Sequence, residues 1–321
     1  MDSAIPFAID HLVVPLDGSR LAEATLPAAI AVSARLGAGV TLLHVLERNA
    51  PLTVHGDRHL TNAGQAEAYL HGVASRFADA GVTVVVHTHP NPEGDIAASI
   101  ADHAAELASS LIVLCTHGHG GMRGWMSGSL AQQVIRRATP PVLLVRPGQA
   151  AASGPFAPEA LLVALDGTPE AEAALPPAFA LARAFGARVH ILDVVETLGT
   201  VAGDRAAAAR LSPTATAALL DAEGTAAVSY LERMAARVRA TGGPVSAELA
   251  RGDAVRTVVE RAQSEGAILA LATHGRGGLD ALWSGSVGAK VVARATVPLL
   301  LVHPGVASER RQPATSSVPD R

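Results

Sequence analysis

The chain has 321 residues, enough for two ordinary domains of about 150 residues each. Hydrophobic residues make up 49% and charged residues 17%, which excludes global disorder; aromatics are only 3%, so the cores fall to Ala, Val, Leu and Ile. A formal net charge of −4 gives nucleic-acid binding no support, and a single lysine, Lys290, leaves no Walker A loop.

Residues 12–16 form a short apolar run ending at Asp17-Gly18, read as a buried strand. Ser19 can cap the next helix, with Leu21, Leu26, Ile30 and Val32 as apolar positions and Gly37 just past its end. Residues 40–46 are the second strand. A helix is predicted over 62–80, stopped by Gly81, and a third strand over 82–87. A helix over 96–107, a strand over 111–115, a helix over 129–138 and a fifth strand over 142–145 follow. Cys115 is the only cysteine, so no disulfide or CxxC metal knuckle forms. Residues 1–10 lack the basic and apolar regions of a secretory signal, and no apolar run reaches the roughly 18 residues of a membrane span. A soluble, cytoplasmic protein without membrane contacts is expected.

The second half repeats the first. HLVVPLDGS at 11–19 matches ALLVALDGT at 160–168, and TLLHVLE at 41–47 matches HILDVVE at 190–196. THGHGG at 116–121 matches THGRGG at 273–278, and PVLLV at 141–145 matches PLLLV at 298–302. The second copy is longer, with the extra residues expected in the Ala-rich stretch 198–226. Residues 205–227 read either as a regulatory lid or, as such segments more often are, as an elongated helix and loop. The division expected is a domain over 1–148, a Pro- and Gly-rich linker over 149–158, a domain over 159–305 and a flexible tail over 306–321. Strands alternating with helices imply parallel pairing and a sheet covered on both faces. The fold class is α/β, two tandem doubly wound five-stranded sandwiches of Rossmann-like type. Ligands of such sheets bind beyond the carboxyl ends of the strands.

Both halves, over 10–147 and 159–304, resemble the universal stress protein family. Its ATP-binding members carry Gly, two residues, Gly, nine residues, then Gly-Ser or Gly-Thr. Gly118 is followed after nine residues by Gly128-Ser129, and Gly275 by Gly285-Ser286. The leading glycine is replaced by Cys115 in the first copy and Ala272 in the second. The resemblance implies ATP, alone or with Mg2+, as ligand of each copy. It implies that Asp17 and Asp166 contact the adenosine part and that Val45 and Val194 line the adenine slot. It gives the phosphates to Gly118, Gly128, Ser129, Gly275, Gly285 and Ser286. Pro15, Gly121, Leu130, Ala164, Gly278 and Val287 complete the candidate set with Cys115 and Ala272. The physics agrees: glycines let backbone N–H groups reach phosphate oxygens, and Gly-Ser opens a helix whose N-terminus favours anions. Arg123 and Arg276 are further candidates for phosphate charge. The resemblance also implies that the fifth strands pair the two halves as an internal pseudo-dimer, and it leaves room for a homodimer of two such chains.

Blander readings stand beside these. Asp17 can serve as a turn or cap residue, and Ser129 to Gln132 has capping-box spacing. Cys115, at the end of an apolar strand, reads as a structural thiol. His87 and His89 are read as pointing to opposite faces of their strand, so no shared metal is expected from them and His103, nor from His117 and His119. His117 and His274 are assigned to shaping the loop or touching phosphate. The expected function is a nucleotide-binding stress regulator and not a fast enzyme. The alternatives are a nucleotide-free interaction module and an adenylating or slow ATP-hydrolysing enzyme of the same fold group.

Overall fold

In the computed structural model, residues 7–48, 50–54, 56–116, 130–147, 155–273 and 287–304 are described. The strands of the first half are β1 (His11–Pro15), β2 (Gly39–Glu47), β3 (Val84–Glu93), β4 (Leu111–Cys115) and β5 (Val142–Val145). Those of the second are β6 (Ala160–Leu165), β7 (Arg188–Val195), β8 (Val245–Arg251), β9 (Ile268–Ala272) and β10 (Leu299–Val302). The helices are α1 (Leu26–Leu36), α2 (Ala63–Ala74), α3 (Ile96–Glu106), α4 (Leu130–Arg137) and α5 (Leu175–Phe185). They continue with α6 (Gly203–Leu211), α7 (Pro213–Arg239), α8 (Ala254–Glu265) and α9 (Val287–Arg294).

All ten strands join one sheet, in the order β8-β7-β6-β9-β10-β5-β4-β1-β2-β3. Within each half the pairing is parallel. The halves meet where β10 runs antiparallel to β5, with Leu300 opposite Leu143. Neither fifth strand is therefore left as an open edge, which removes two aggregation-prone borders.

The strands are apolar on both sides because both sides are covered. Leu12, Val14, Leu143, Leu161 and Leu300 face one continuous core with α1, α2, α5 and α7. Val13, Leu43, Leu144, Leu162 and Leu301 face a second core with α3, α4, α8 and α9. Each core runs across the seam. The two halves thus share their hydrophobic layers.

Several local expectations are corrected. The helix predicted over 62–80 is α-helical only to Ala74 and continues as 3-10 helix over Ser75–Ala80. The third strand starts at Val84 and runs past His87 to Glu93. The helix entered at Ser19 begins with a 3-10 turn, Ala22–Thr25, before α1. The Ala-rich stretch becomes two helices, α6 and the start of α7. A small hairpin, Thr53–Val54 with Asp57–Arg58, was not foreseen. His87 and His89 do not point apart. They are two residues apart, the spacing that shares a face, and both rings lie 4.9 Å from that of His103.

Candidate functional site

β1 leaves the sheet between β2 and β4, where the strand order reverses, and a crevice opens beyond its carboxyl end. In the first half this crevice holds about 330 Å³ and is lined by Pro15, Asp17, His44, Val45, His59, Cys115 and Leu130. Asp17 Oδ1 accepts from Ser19 N at 2.9 Å and from Ser19 Oγ at 2.6 Å. Ser19 Oγ in turn accepts from Ala22 N at 3.1 Å, the capping role expected of it. One oxygen of Asp17 thus braces the turn. His44 Nδ1 donates to the Leu16 carbonyl at 2.7 Å; burial holds its pKa below the ordinary imidazole value. Burial, helped by the Asp17 charge, pushes the Cys115 thiol up to about 12, so it stays protonated at neutral pH.

The hairpin segment lies over this crevice. Arg20 N donates to Asp57 Oδ2 at 2.9 Å, and buried His59 accompanies it. Gly18 has φ +89°, and a Cβ there would sit 2.8 Å from Leu60 Cγ. Its counterpart Gly167 has φ +77° and nothing within 4 Å of such a Cβ. Gly18→Ala and Gly167→Ala should each cost about 1–2 kcal/mol for the left-handed backbone. Gly18→Ala should cost more, because Leu60 must also move. Urea unfolding of both variants checks the order; equal losses would mean that the Leu60 contact is immaterial.

The second crevice is larger, about 890 Å³, and is lined among others by Ala164, Asp166, Asp193, Val194, Tyr230, Ala272 and Val287. Asp166 Oδ1 accepts from Thr168 N at 3.1 Å and Thr168 Oγ1 at 2.6 Å, repeating the Asp17 arrangement. Asp193 occupies the position that His44 holds in the first half. It is 8% exposed, and burial, opposed by a hydrogen bond from Val194 and reinforced by the Asp166 charge, raises its pKa to about 6. Tyr230 of α7 is 8% exposed. Burial, then the Glu172 and Asp166 carboxylates, push its ionisation upward. Glu172 lies outside hydrogen-bond geometry, and the Tyr230 hydroxyl is buried with no partner among the described residues. The inserted helices close the rim: Arg205 of α6 pairs with Glu196 at 3.3 Å and Glu223 at 2.8 Å.

The structure therefore gathers Pro15, Asp17, Val45, Cys115 and Leu130 at one crevice and Ala164, Asp166, Val194, Ala272 and Val287 at the other. Gly118, Gly121, Gly128, Ser129, Gly275, Gly278, Gly285 and Ser286 lie outside the described residues, as do His117, His119, Arg123, His274 and Arg276. His44, Asp193, Tyr230 and Arg205 were not singled out from the sequence. For Asp193 the signal was there, a carboxylate inside an apolar strand.

The universal stress protein family profile matches residues 8–146 and 159–303. The chain belongs to the universal stress protein family. A universal stress protein from Archaeoglobus fulgidus is similar in structure, with TM-score 0.65 and 20% identity, covering 94% of this chain and 98% of its own. A functionally unknown protein from Pseudomonas aeruginosa has TM-score 0.64 and 16% identity, covering 94% of each chain. At these identities the likeness is one of fold. No curated protein matches the chain significantly. Among the described residues of this universal stress protein, no helix is long and apolar enough to cross a membrane.

Proposed function

We propose that this universal stress protein binds an adenine nucleotide, ATP alone or with Mg2+, with the second crevice as its principal site. The observation that carries the reading is the buried Tyr230 hydroxyl, without a partner among the described residues, beside Asp166 and Asp193 at a strand-end crevice. A buried polar group left unpaired is costly, and a polar ligand relieves that cost. The crevice volume of about 890 Å³ falls in the range of small-molecule sites, about 300–1,000 Å³. Its apolar wall, with Val194, Ala272 and Val291, suits the flat face of a base. The paired glycine motifs supply the phosphate half of the argument.

The first crevice is smaller, about 330 Å³, and lies under the hairpin segment, so weaker binding is expected there. That observation favours a second reading for the first half alone, a module that holds its partner half without a nucleotide of its own. The nucleotide acts as a ligand that stabilises one state of a regulatory protein. The sole lysine, Lys290, lies on α9, and neither crevice is assigned a phosphoryl-transfer lysine.

Millimolar ATP with Mg2+ should raise the melting temperature by several degrees, since a ligand at a hundred times its Kd stabilises by about 2.7 kcal/mol. Asp166→Ala should weaken binding at least tenfold, about 1.4 kcal/mol, while Asp17→Ala leaves the main isotherm in place. Asp166→Asn, which keeps the acceptor for Thr168, separates the loss of charge from the loss of the turn. No thermal shift, together with no nucleotide released on denaturing the purified protein, would sink the reading.

A further inference from the structure

The two crevices differ in what the segment after their second strand brings to them. In the first half that segment is the hairpin, and no arginine or lysine lines the crevice among the described residues. In the second half it is α6 and α7, which bring Arg205 and Arg233 to the crevice wall. Arg233 donates to the Ser229 carbonyl of its own helix at 3.0 Å and lies over the Tyr230 ring at 5.9 Å, so α7 itself holds it.

Arg205 is held only by acids of the rim. Its Nη2 donates to both carboxylate oxygens of Glu223, at 2.9 and 2.8 Å, and its Nη1 lies 3.3 Å from Glu196 Oε2. Both glutamates line the same crevice. The three side chains are partly exposed, and water screens pairs of this kind until they contribute little. α6 buries none of its residues. Backbone breaks bracket it: Gly203 at its start has φ +59°, and Ser212, the single residue before α7, has φ −143° and ψ 75°. With no buried side chain to anchor it, α6 is held at the rim by the Arg205 clasp.

The charges around the clasp give it a use. Asp166, Asp193, Glu196 and Glu223 line the crevice against two arginines. An anionic ligand entering there meets an excess of carboxylates unless a guanidinium turns to it. A phosphate group offers that guanidinium a charge-assisted, bidentate partner as good as a carboxylate. Moving Arg205 from Glu223 to a phosphate exchanges one such pair for another, and α6 has no buried contact to lose in following it.

We infer that Arg205 is the specificity-determining residue of the second crevice, selecting phosphorylated ligands over the bare nucleoside, and that α6 is the lid that carries it onto the bound phosphate. The inference rests on the nucleotide reading of that crevice.

The test is calorimetric titration of the full-length protein with ATP plus Mg2+ and, separately, with adenosine. Arg205→Gln should lower the preference for ATP over adenosine by about tenfold. Glu223→Gln releases the guanidinium and should raise ATP affinity by about threefold. A change in the local field alone would give the same two signs, so the double variant decides. Where Arg205 itself takes the phosphate, Glu223→Gln gains nothing once Arg205→Gln is in place. A gain that persists in the double variant overturns the proposal. Hydrogen exchange reads the lid: ATP should slow exchange of the α6 amides in the wild type and not in Arg205→Gln. An unchanged preference in Arg205→Gln, or α6 exchange indifferent to ATP in a wild type that binds it, also overturns the proposal while leaving the nucleotide reading intact. A wild type that binds no ATP removes that reading, and this inference with it. Circular dichroism checks that the variants, all at partly exposed positions, remain folded.

Discussion

Leu300→Asp is expected to leave little folded protein at neutral pH. Leu300 is fully buried in β10, paired with Ala270 on one side and with Leu143 across the antiparallel seam. The substitution removes a leucine from a packed core and places a carboxyl group where nothing apolar can hydrogen-bond it. A loss above about 4 kcal/mol is expected, a large part of the about 5–15 kcal/mol that holds an ordinary domain. Because the cores continue across the seam, the loss should reach both halves. Leu143→Asp, directly opposite, should behave alike. Leu219→Asp, on an exposed position of α7, is the control and should stay within about 0.5 kcal/mol of wild type. Soluble yield and urea unfolding followed by circular dichroism measure all three. A Leu300→Asp midpoint near that of the control would mean that the seam is not a packed core.

Asp193→Asn is expected to stabilise the protein at pH 7, on the order of 2 kcal/mol. The folded-state pKa of Asp193 is raised from the ordinary 3.8 to about 6 by burial. Well below the ordinary value of 3.8 the group is neutral whether the chain is folded or not, and it contributes no penalty. Between about pH 4 and 6 the unfolded chain ionises first, so this residue makes stability fall as pH rises. Above about pH 6 the penalty is constant. The amide has no such titration. The advantage of Asp193→Asn should therefore vanish about a unit below the ordinary carboxyl value of 3.8, grow up to about pH 6 and then level off in urea unfolding. An advantage independent of pH would show that desolvation of the charge is not the cause. Asp193 thus carries a desolvation cost at the wall of the second crevice, which Asp166 also lines.

Much of the fold was legible because it rests on local patterns. Runs such as residues 12–16 and 142–145 are short and apolar throughout, which only a strand covered on both faces explains. The Asp-Gly pairs at 17–18 and 166–167 end such runs in both halves, and the structure places both aspartates in strand-end crevices. The hairpin Thr53–Arg58 escaped because its two-residue strands carry no periodicity. The split of residues 62–80 escaped because 3-10 and α segments share nearly the same apolar spacing. Tyr230 escaped because a lone tyrosine in a long Ala-rich helix looks like any amphipathic position. The histidine cluster was misread at the level of strand geometry, since positions two apart share a face.

By itself the sequence determined the duplication, the α/β class, the aliphatic cores and the two aspartates, because repeats, periodicity and turn chemistry act over a few residues. Tertiary structure alone decided that the two halves share one ten-stranded sheet, that the second crevice is larger than the first, and that His103 meets His87 and His89. Those outcomes depend on contacts between residues far apart in the chain, and no short-range pattern encodes the distance between them.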